Sequence, residues 1–344
     1  MNHSFLLTID VEDWFQVENF KRYIPFAFWS SYELRVEKNT HRLLDFLDSV
    51  SCQPSVVGGQ PSGNLNQTES HSSQFNIDHG PQSTDGAQDE KVRGTFFVLG
   101  WIAERLPHLI QEIHSRGHEV ASHGYYHNLC NDQSHEDLKA DLCDSKSLLE
   151  DIIGNQVYGY RAPSFAVNND ILKIVEDCGY LYDSSYNSFS MHGRYGHLDL
   201  LQNKSRGIAL KISKTRNPDF IGKHETRNTK HKPFYELPVS NLKFAHQVFP
   251  WGGGGYFRLI PFPLFKIGVK FILGKKNAYL FYFHPWEIDP EQPKVNDAPV
   301  FYKFLHYINL RKTHIRLSKL IENFAHCNFI TCRQYLDEVR NCTL

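Results

Sequence analysis

No apolar run in these 344 residues approaches the roughly 20 needed to cross a bilayer, so no transmembrane helix is expected. The opening MNHSFLLTIDVEDWF has no basic leader, and acids follow its short apolar run at once. That argues against a signal peptide and for a cytoplasmic protein. The seven cysteines (52, 130, 143, 178, 327, 332, 342) are odd in number and scattered, and no pair has zinc-ribbon spacing. They read as reduced thiols. Net charge is only −1, so no global field favours nucleic acid or an anionic membrane. There is no internal repeat. The GGGG run at 252–255 lacks the Gly-x-Gly-x-x-Gly spacing and a following Lys, which excludes a nucleotide loop. It fits a backbone passing close to its neighbours.

Hydrophobic residues make up 41% of the chain, with 25 Phe and 17 Tyr, ample for a large core. At about 150 residues per domain the length suits two domains, though barrels of this size often form one. SFLLTIDV (4–11), GTFFVLG (94–100), HEVASHG (118–124), QVYGYRAP (156–163), YLYDSS (180–185), FYELPVS (234–240) and AYLFYFHPW (278–286) read as strands. Residues 40–50, 101–117 (closing on Gly117), 135–153 and 168–179 (with an Asn cap) read as helices, and 300–340 as helices with a short strand. The alternation predicts a parallel α/β sheet or barrel. Two stretches break it. Residues 51–91 are Ser, Gln, Asn, Gly and Asp with almost no large apolar side chain, so a disordered insertion is expected. Residues 203–232 are basic and weakly periodic, a second insertion. A solvated loop suits the latter better than a site for an anionic glycan or a lipid-linked diphosphate.

In such sheets, ligand sites form beyond the C-terminal strand ends. The polar residues there are Asp10, Glu12 and Asp13, then His123 and His127, then Arg161, Asp183 and His284. His123 and His127 stand four apart in EVASHGYYH. An isolated pair of this spacing is more often structural than a ligand pair, and nineteen histidines weaken any argument from one. Carboxylates, a further His and an Arg at other strand ends strengthen the case for a divalent-metal site.

Taken together, TIDVED, SHGYYH, RAPSF, YDSS and FYFHPW resemble the polysaccharide deacetylases of carbohydrate esterase family 4, the NodB-homology fold, in family order from residue 5 to about 287. DVEDWF, PWGGGGYFRL and HPWEIDPEQP resemble the branch found in exopolysaccharide loci. The resemblance implies a deformed (β/α) barrel, with a catalytic domain at 1–287 and a C-terminal extension at 288–344 packed on it. It implies metal-dependent N-deacetylation of an N-acetylated glycan or lipid-linked oligosaccharide. His123 and His127 match the metal-binding His-Ser/Thr-x-x-His motif, although Gly124 follows the first His and the serine, Ser122, precedes it. Asp10 matches the catalytic base, Arg161 the arginine that holds it, and His284 the general acid, with Tyr282 where that motif has leucine.

The family's commonest form has adjacent aspartates, base then ligand; here the order is Asp10-Val11-Glu12-Asp13. Alternation along a strand puts Glu12 on the face of Asp10, which favours Glu12 over Asp13 as third ligand. Zinc is the first choice of metal, with cobalt, nickel or manganese suiting the same donors. Asp10 would take a proton from water, a backbone N–H near Ser164 would hold the oxyanion, and His284 would protonate the leaving nitrogen. Asp183 could hydrogen-bond His284, though YDSSYNS lacks the family's Trp there. Asp10 with Arg161 could instead be a plain buried ion pair, His284 a strand cap, and Asp183 a turn residue. Trp14, Trp251 and Trp286 could stack on sugar rings, with core packing at least as favoured. Two other functions stay open: hydrolysis of small cyclic amides or ureides, and a glycan-binding scaffold with a decayed site.

Overall fold

The computed structural model describes residues 3–52, 90–189, 195–199, 204–212, 233–245 and 247–341. The first strand, β1 (Ser4–Val11), is buried along its whole length. An unbroken apolar run of this kind belongs to a parallel strand covered on both faces. Helix α1 (Val36–Ser49) starts upstream of the predicted 40–50. Two short strands, β2 (Ser51–Cys52) and β3 (Glu90–Lys91), then pair antiparallel. The expected insertion therefore leaves and re-enters the fold at one point; its residues 53–89 lie outside the described residues.

Strand β4 (Gly94–Val98) leads into α2 (Gly100–Arg105) and α3 (Pro107–Ser115). Sequence periodicity predicts one helix here. Pro107 cannot continue a helix and instead starts the second one, so the segment breaks at Leu106. Strand β5 (Glu119–Ser122) and helix α4 (His135–Ile153) follow, α4 capped by Ser134 and closed by left-handed Gly154. Next come β6 (Gly159–Tyr160), α5 (Asn169–Asp177), whose Asn168 side chain accepts from the Asp170 and Ile171 N–H groups, and β7 (Tyr182–Asp183).

A hairpin of β8 (Lys204–Arg206) and β9 (Ala209–Ile212) lies inside the stretch expected as a basic loop, and β9 pairs antiparallel with β10 (Phe234–Glu236). Residues 213–232 lie outside the described residues. The hairpin β11 (Asn241–Phe244) and β12 (Gln247–Pro250) precedes α6 (Gly254–Leu259), α7 (Phe262–Lys276) and β13 (Ala278–Phe283). The chain ends in α8 (Val300–Tyr307), α9 (Leu310–Asn323), β14 (Asn328–Phe329) and α10 (Cys332–Asn341), as periodicity predicts.

The main sheet runs β13-β1-β4-β5-β6-β7-β10-β9-β8, with β14 on β1. Pairings from β13 to β10 are parallel; β9 and β8 add antiparallel edges. The sheet curls into a half-barrel with helices around it, one domain of the expected (β/α) type. Alternation splits the core in two. Phe5, Leu7 and Ile9 face the helices with residues such as Leu43, Ile110 and Leu142. Leu6 packs inside the curl with Phe97, Ala121 and Leu280. No helix among the described residues is long and apolar enough to cross a membrane. Cys143 and Cys178, far apart in sequence, bring their sulfurs to 3.3 Å as free thiols.

Candidate active site

The inward face of β1 carries Leu6, Thr8 and Asp10, and the chain turns just beyond the strand, where the Glu12 N–H donates to the Asp10 carbonyl. The Glu12 carboxylate stays on the inner side. Its Oε1 lies 3.0 Å from His123 Nε2 and 3.1 Å from His127 Nε2. All three side chains are buried, and they form a three-donor cluster. Asp13 turns the other way. Its carboxylate accepts from the backbone N–H of Trp14 (2.8 Å), Arg35 (2.6 Å) and Val36 (2.8 Å), which closes the start of α1.

His123 directly follows β5, and His127 comes in the turn beyond with φ of 56°. Gly124 between them has φ of 75°, and a Cβ there would meet Asp141 Oδ1 at 2.8 Å. That explains glycine where the related motif carries Ser or Thr. Ser122 accepts from the Gly124 N–H and bonds Ser145 instead. His123 Nδ1 lies 2.7 Å from the Arg161 carbonyl, which can only accept, so Nδ1 carries the proton. Nε2 is thereby turned to the Glu12 carboxylate at 3.0 Å. A buried carboxylate against two imidazole nitrogens is satisfied by a proton or a cation between them. The donor set therefore fits a divalent cation, with one imidazole already held by an outer backbone carbonyl.

Arg161 is fully buried and spends its donors on Asp10 Oδ1 (2.7 Å), Thr8 Oγ1 (2.9 Å), the Ser184 carbonyl (3.0 Å) and Ser184 Oγ (2.9 Å). Asp10 keeps Oδ2 for the cavity, 3.9 Å from His284 Nε2. His284 Nε2 also stands 3.7 Å from Glu12 Oε1. The carboxylate bonded to His284 is not Asp183, as expected, but Glu287, at 2.9 Å from Nδ1. Glu287 is in turn held by Arg258 at 2.7 Å. Burial alone would lower His284, yet Glu12, Glu287 and Asp10 outweigh it and push the ring up to about 9. Burial likewise raises Glu12, but His127, His284 and His123 bring it well below the usual carboxylate range. Asp183 accepts from Ser185 N–H (2.9 Å) and Ser185 Oγ (2.7 Å). Burial raises both Asp183 and neighbouring Glu236, and the Asp183 charge raises Glu236 further. Asp183 thus holds the segment after β7 that carries Ser184 and Ser185.

Glu287 is the residue that motif reading missed. Its signal lies in HPWE: a carboxylate three residues after His284 closes a capping box over a 3-10 turn. The GGGG run serves the same contact, since a Cβ on Gly254 would meet Glu287 Oε1 at 2.2 Å. The three tryptophans are core residues, not sugar platforms. Trp14 packs edge-on against Phe15, Trp251 stacks on Phe265, and Trp286 is sandwiched between His284 and His306. Near Ser164, Phe165 and Ala166 donate their N–H groups to the turn, while Ser164 itself is left-handed with φ of 52°.

The polysaccharide deacetylase family model matches residues 75–182, and a domain of unknown function, DUF3473, matches residues 184–337. The chain carries a polysaccharide deacetylase domain. A peptidoglycan-N-acetylglucosamine deacetylase of Bacillus cereus is 29% identical over 100 residues, 29% of this chain and 46% of that protein. A peptidoglycan deacetylase-like protein of Gibberella zeae is 33% identical over 96 residues, 28% of either chain. The matched stretch spans less than half of these relatives. A crystal structure of a candidate polysaccharide deacetylase from Mycobacterium smegmatis superposes with a TM-score of 0.57 at 18% identity, covering 99% of this chain and 91% of that one. The polysaccharide deacetylase domain and that structure therefore share the half-barrel fold.

Proposed function

We propose that this chain is a metal-dependent hydrolase that removes the acetyl group from an N-acetylated amino sugar, in a polysaccharide or a lipid-linked oligosaccharide made for export as extracellular polymer. The observation that carries the reading is the buried convergence of His123 Nε2, His127 Nε2 and Glu12 Oε1 beside the Asp10–Arg161 pair. We assign residues 1–287 to the catalytic domain and 288–344 to an extension on it. Asp289 receiving Arg35 and Asn39 supports that packing.

Glu12, His123 and His127 would hold the cation, zinc first, which when bound polarises the acetyl carbonyl and acidifies water. The remaining work falls to the chain. Asp10 Oδ2 takes the proton of the attacking water, while Arg161 on Oδ1 fixes the carboxylate. Water oxygen bonds to the acetyl carbon, and the Ser164 N–H steadies the developing oxyanion. His284 Nε2 gives its proton to the sugar nitrogen as the C–N bond breaks, so acetate and a free amine leave. Glu287 holds the other ring nitrogen and sets which edge of His284 faces the cavity.

Asp10→Asn tests the assignment. It keeps the shape and removes the base, so acetate release from N-acetylglucosamine oligomers should fall by at least about 100-fold with metal content unchanged. Turnover near wild type would remove Asp10 from the mechanism.

A further inference from the structure

Between Leu237 and Trp286 the chain contains no Asp and no Glu, although its overall charge is balanced. Lys243, Arg258, Lys266, Lys270, Lys275 and Lys276 all fall in that stretch. Arg258 is buried on Glu287, and Lys266 reaches Asn323 of α9. Lys243, Lys270, Lys275 and Lys276 are exposed.

The same stretch also exposes several large apolar side chains. Helix α7 buries Phe265, Val269 and Ile272 on its inner side, as a surface helix does. Its outer side should then be polar. Instead Leu264, Ile267 and Phe271 stand there at i, i+3 and i+7, with Ile267 63% exposed. Leu259, at the end of α6 just before this helix, is exposed as well. The β11–β12 hairpin lies against α7, for Lys243 lines one cavity with Ile272 and Lys276. The hairpin adds Phe249 and Phe244, the latter 67% exposed. Opposite registration of Leu242 with Phe249, and of Phe244 with Gln247, puts both rings on one hairpin face. Lys275 Nζ sits 4.1 Å from the Phe271 ring centre, a long cation beside an apolar tip.

We propose that this α6–α7–hairpin face docks the protein onto the headgroup layer of an anionic phospholipid membrane. Aliphatic and aromatic side chains with lysines among them, and no acid in the covalent neighbourhood, match a surface of acyl chains under negative headgroups. A second copy of the chain fits less well, because two such faces would set lysine against lysine. The topology also orients the site. Helix α7 runs back to the start of β13, so its N-terminal end lies toward the end of the sheet that carries His284.

The test is co-sedimentation of the full chain with phosphatidylcholine vesicles with and without phosphatidylglycerol. The protein should bind the anionic vesicles, bind pure phosphatidylcholine at least about tenfold more weakly, and release as salt rises. Ile267→Asp/Phe271→Asp should abolish binding, and Lys270→Glu/Lys275→Glu should weaken it roughly tenfold or more, with thermal unfolding unchanged. The wild-type lipid and salt series needs no variant. No binding to anionic vesicles at low salt would overturn the proposal. So would binding untouched by both variants, or sedimentation showing that the face joins two copies of the chain and leaves vesicles alone.

Discussion

Glu12 and Asp13 are adjacent acids, both buried, with opposite employment. Glu12 meets two imidazole nitrogens, whereas Asp13 meets three backbone N–H groups. Their substitutions should therefore separate cleanly. Glu12→Ala should lose bound metal and acetate release while the fold holds. Asp13→Ala should keep the metal and lose about 1–2 kcal/mol of stability, because it strips a cap from α1. Metal analysis with thermal unfolding of both variants checks this; metal loss in Asp13→Ala alone would exchange the two roles. Alternation along β1 favours Glu12 from sequence, but the strand stops at Val11, and the Glu12-to-Asp10 turn is what keeps the carboxylate inside. The preference was legible; the turn behind it was not, since a single backbone hydrogen bond leaves no trace in composition. Glu287 was hidden differently. Its partner Arg258 is distant in sequence, so only folding shows that the carboxylate beside His284 is itself held.

At the scale of elements, strands read from apolar runs stand where expected, because burial on both faces leaves an unmistakable pattern in β1, β4 and β13. Strands β6 and β7 form inside the expected 156–163 and 180–185, though only two residues long. The β8–β9 hairpin was not legible, because strands of three and four residues are too short to show a period. The pairing of Ser51–Cys52 with Glu90–Lys91 brings the two ends of the expected insertion together. Replacing residues 53–89 with a two-residue turn should thus leave the melting temperature within about 3 °C of wild type, since shortening a closed loop changes its entropy only slowly. A large fall would show that the segment packs on the domain.

For the whole molecule, buried titratable groups set how stability follows pH. His118 is buried between α3 and β5, where its Nδ1 faces the Gly94 N–H at 3.2 Å. Burial, with Arg93 nearby, lowers it to about 4. The unfolded chain then binds a proton near pH 6.5 that the folded chain refuses until about 4. This stabilisation is complete above the unfolded value and fades as pH falls through that window, by about 3 kcal/mol in all. Denaturant unfolding from pH 7 down to 4 should show a shallower decline in His118→Gln than in wild type; parallel declines would mean that His118 titrates normally in the fold.

The central claim is that His123 and His127 hold a hydrolytic metal, and the most direct measurement takes metal content and acetate release from one sample. Protein purified without added metal is assayed by mass spectrometry and then given N-acetylglucosamine oligomers, wild type beside His123→Ala/His127→Ala. The account predicts about one divalent metal per chain and acetate release in wild type, both lost in the variant. No bound metal in wild type even after zinc or cobalt is supplied, or metal retained by the variant, would contradict it.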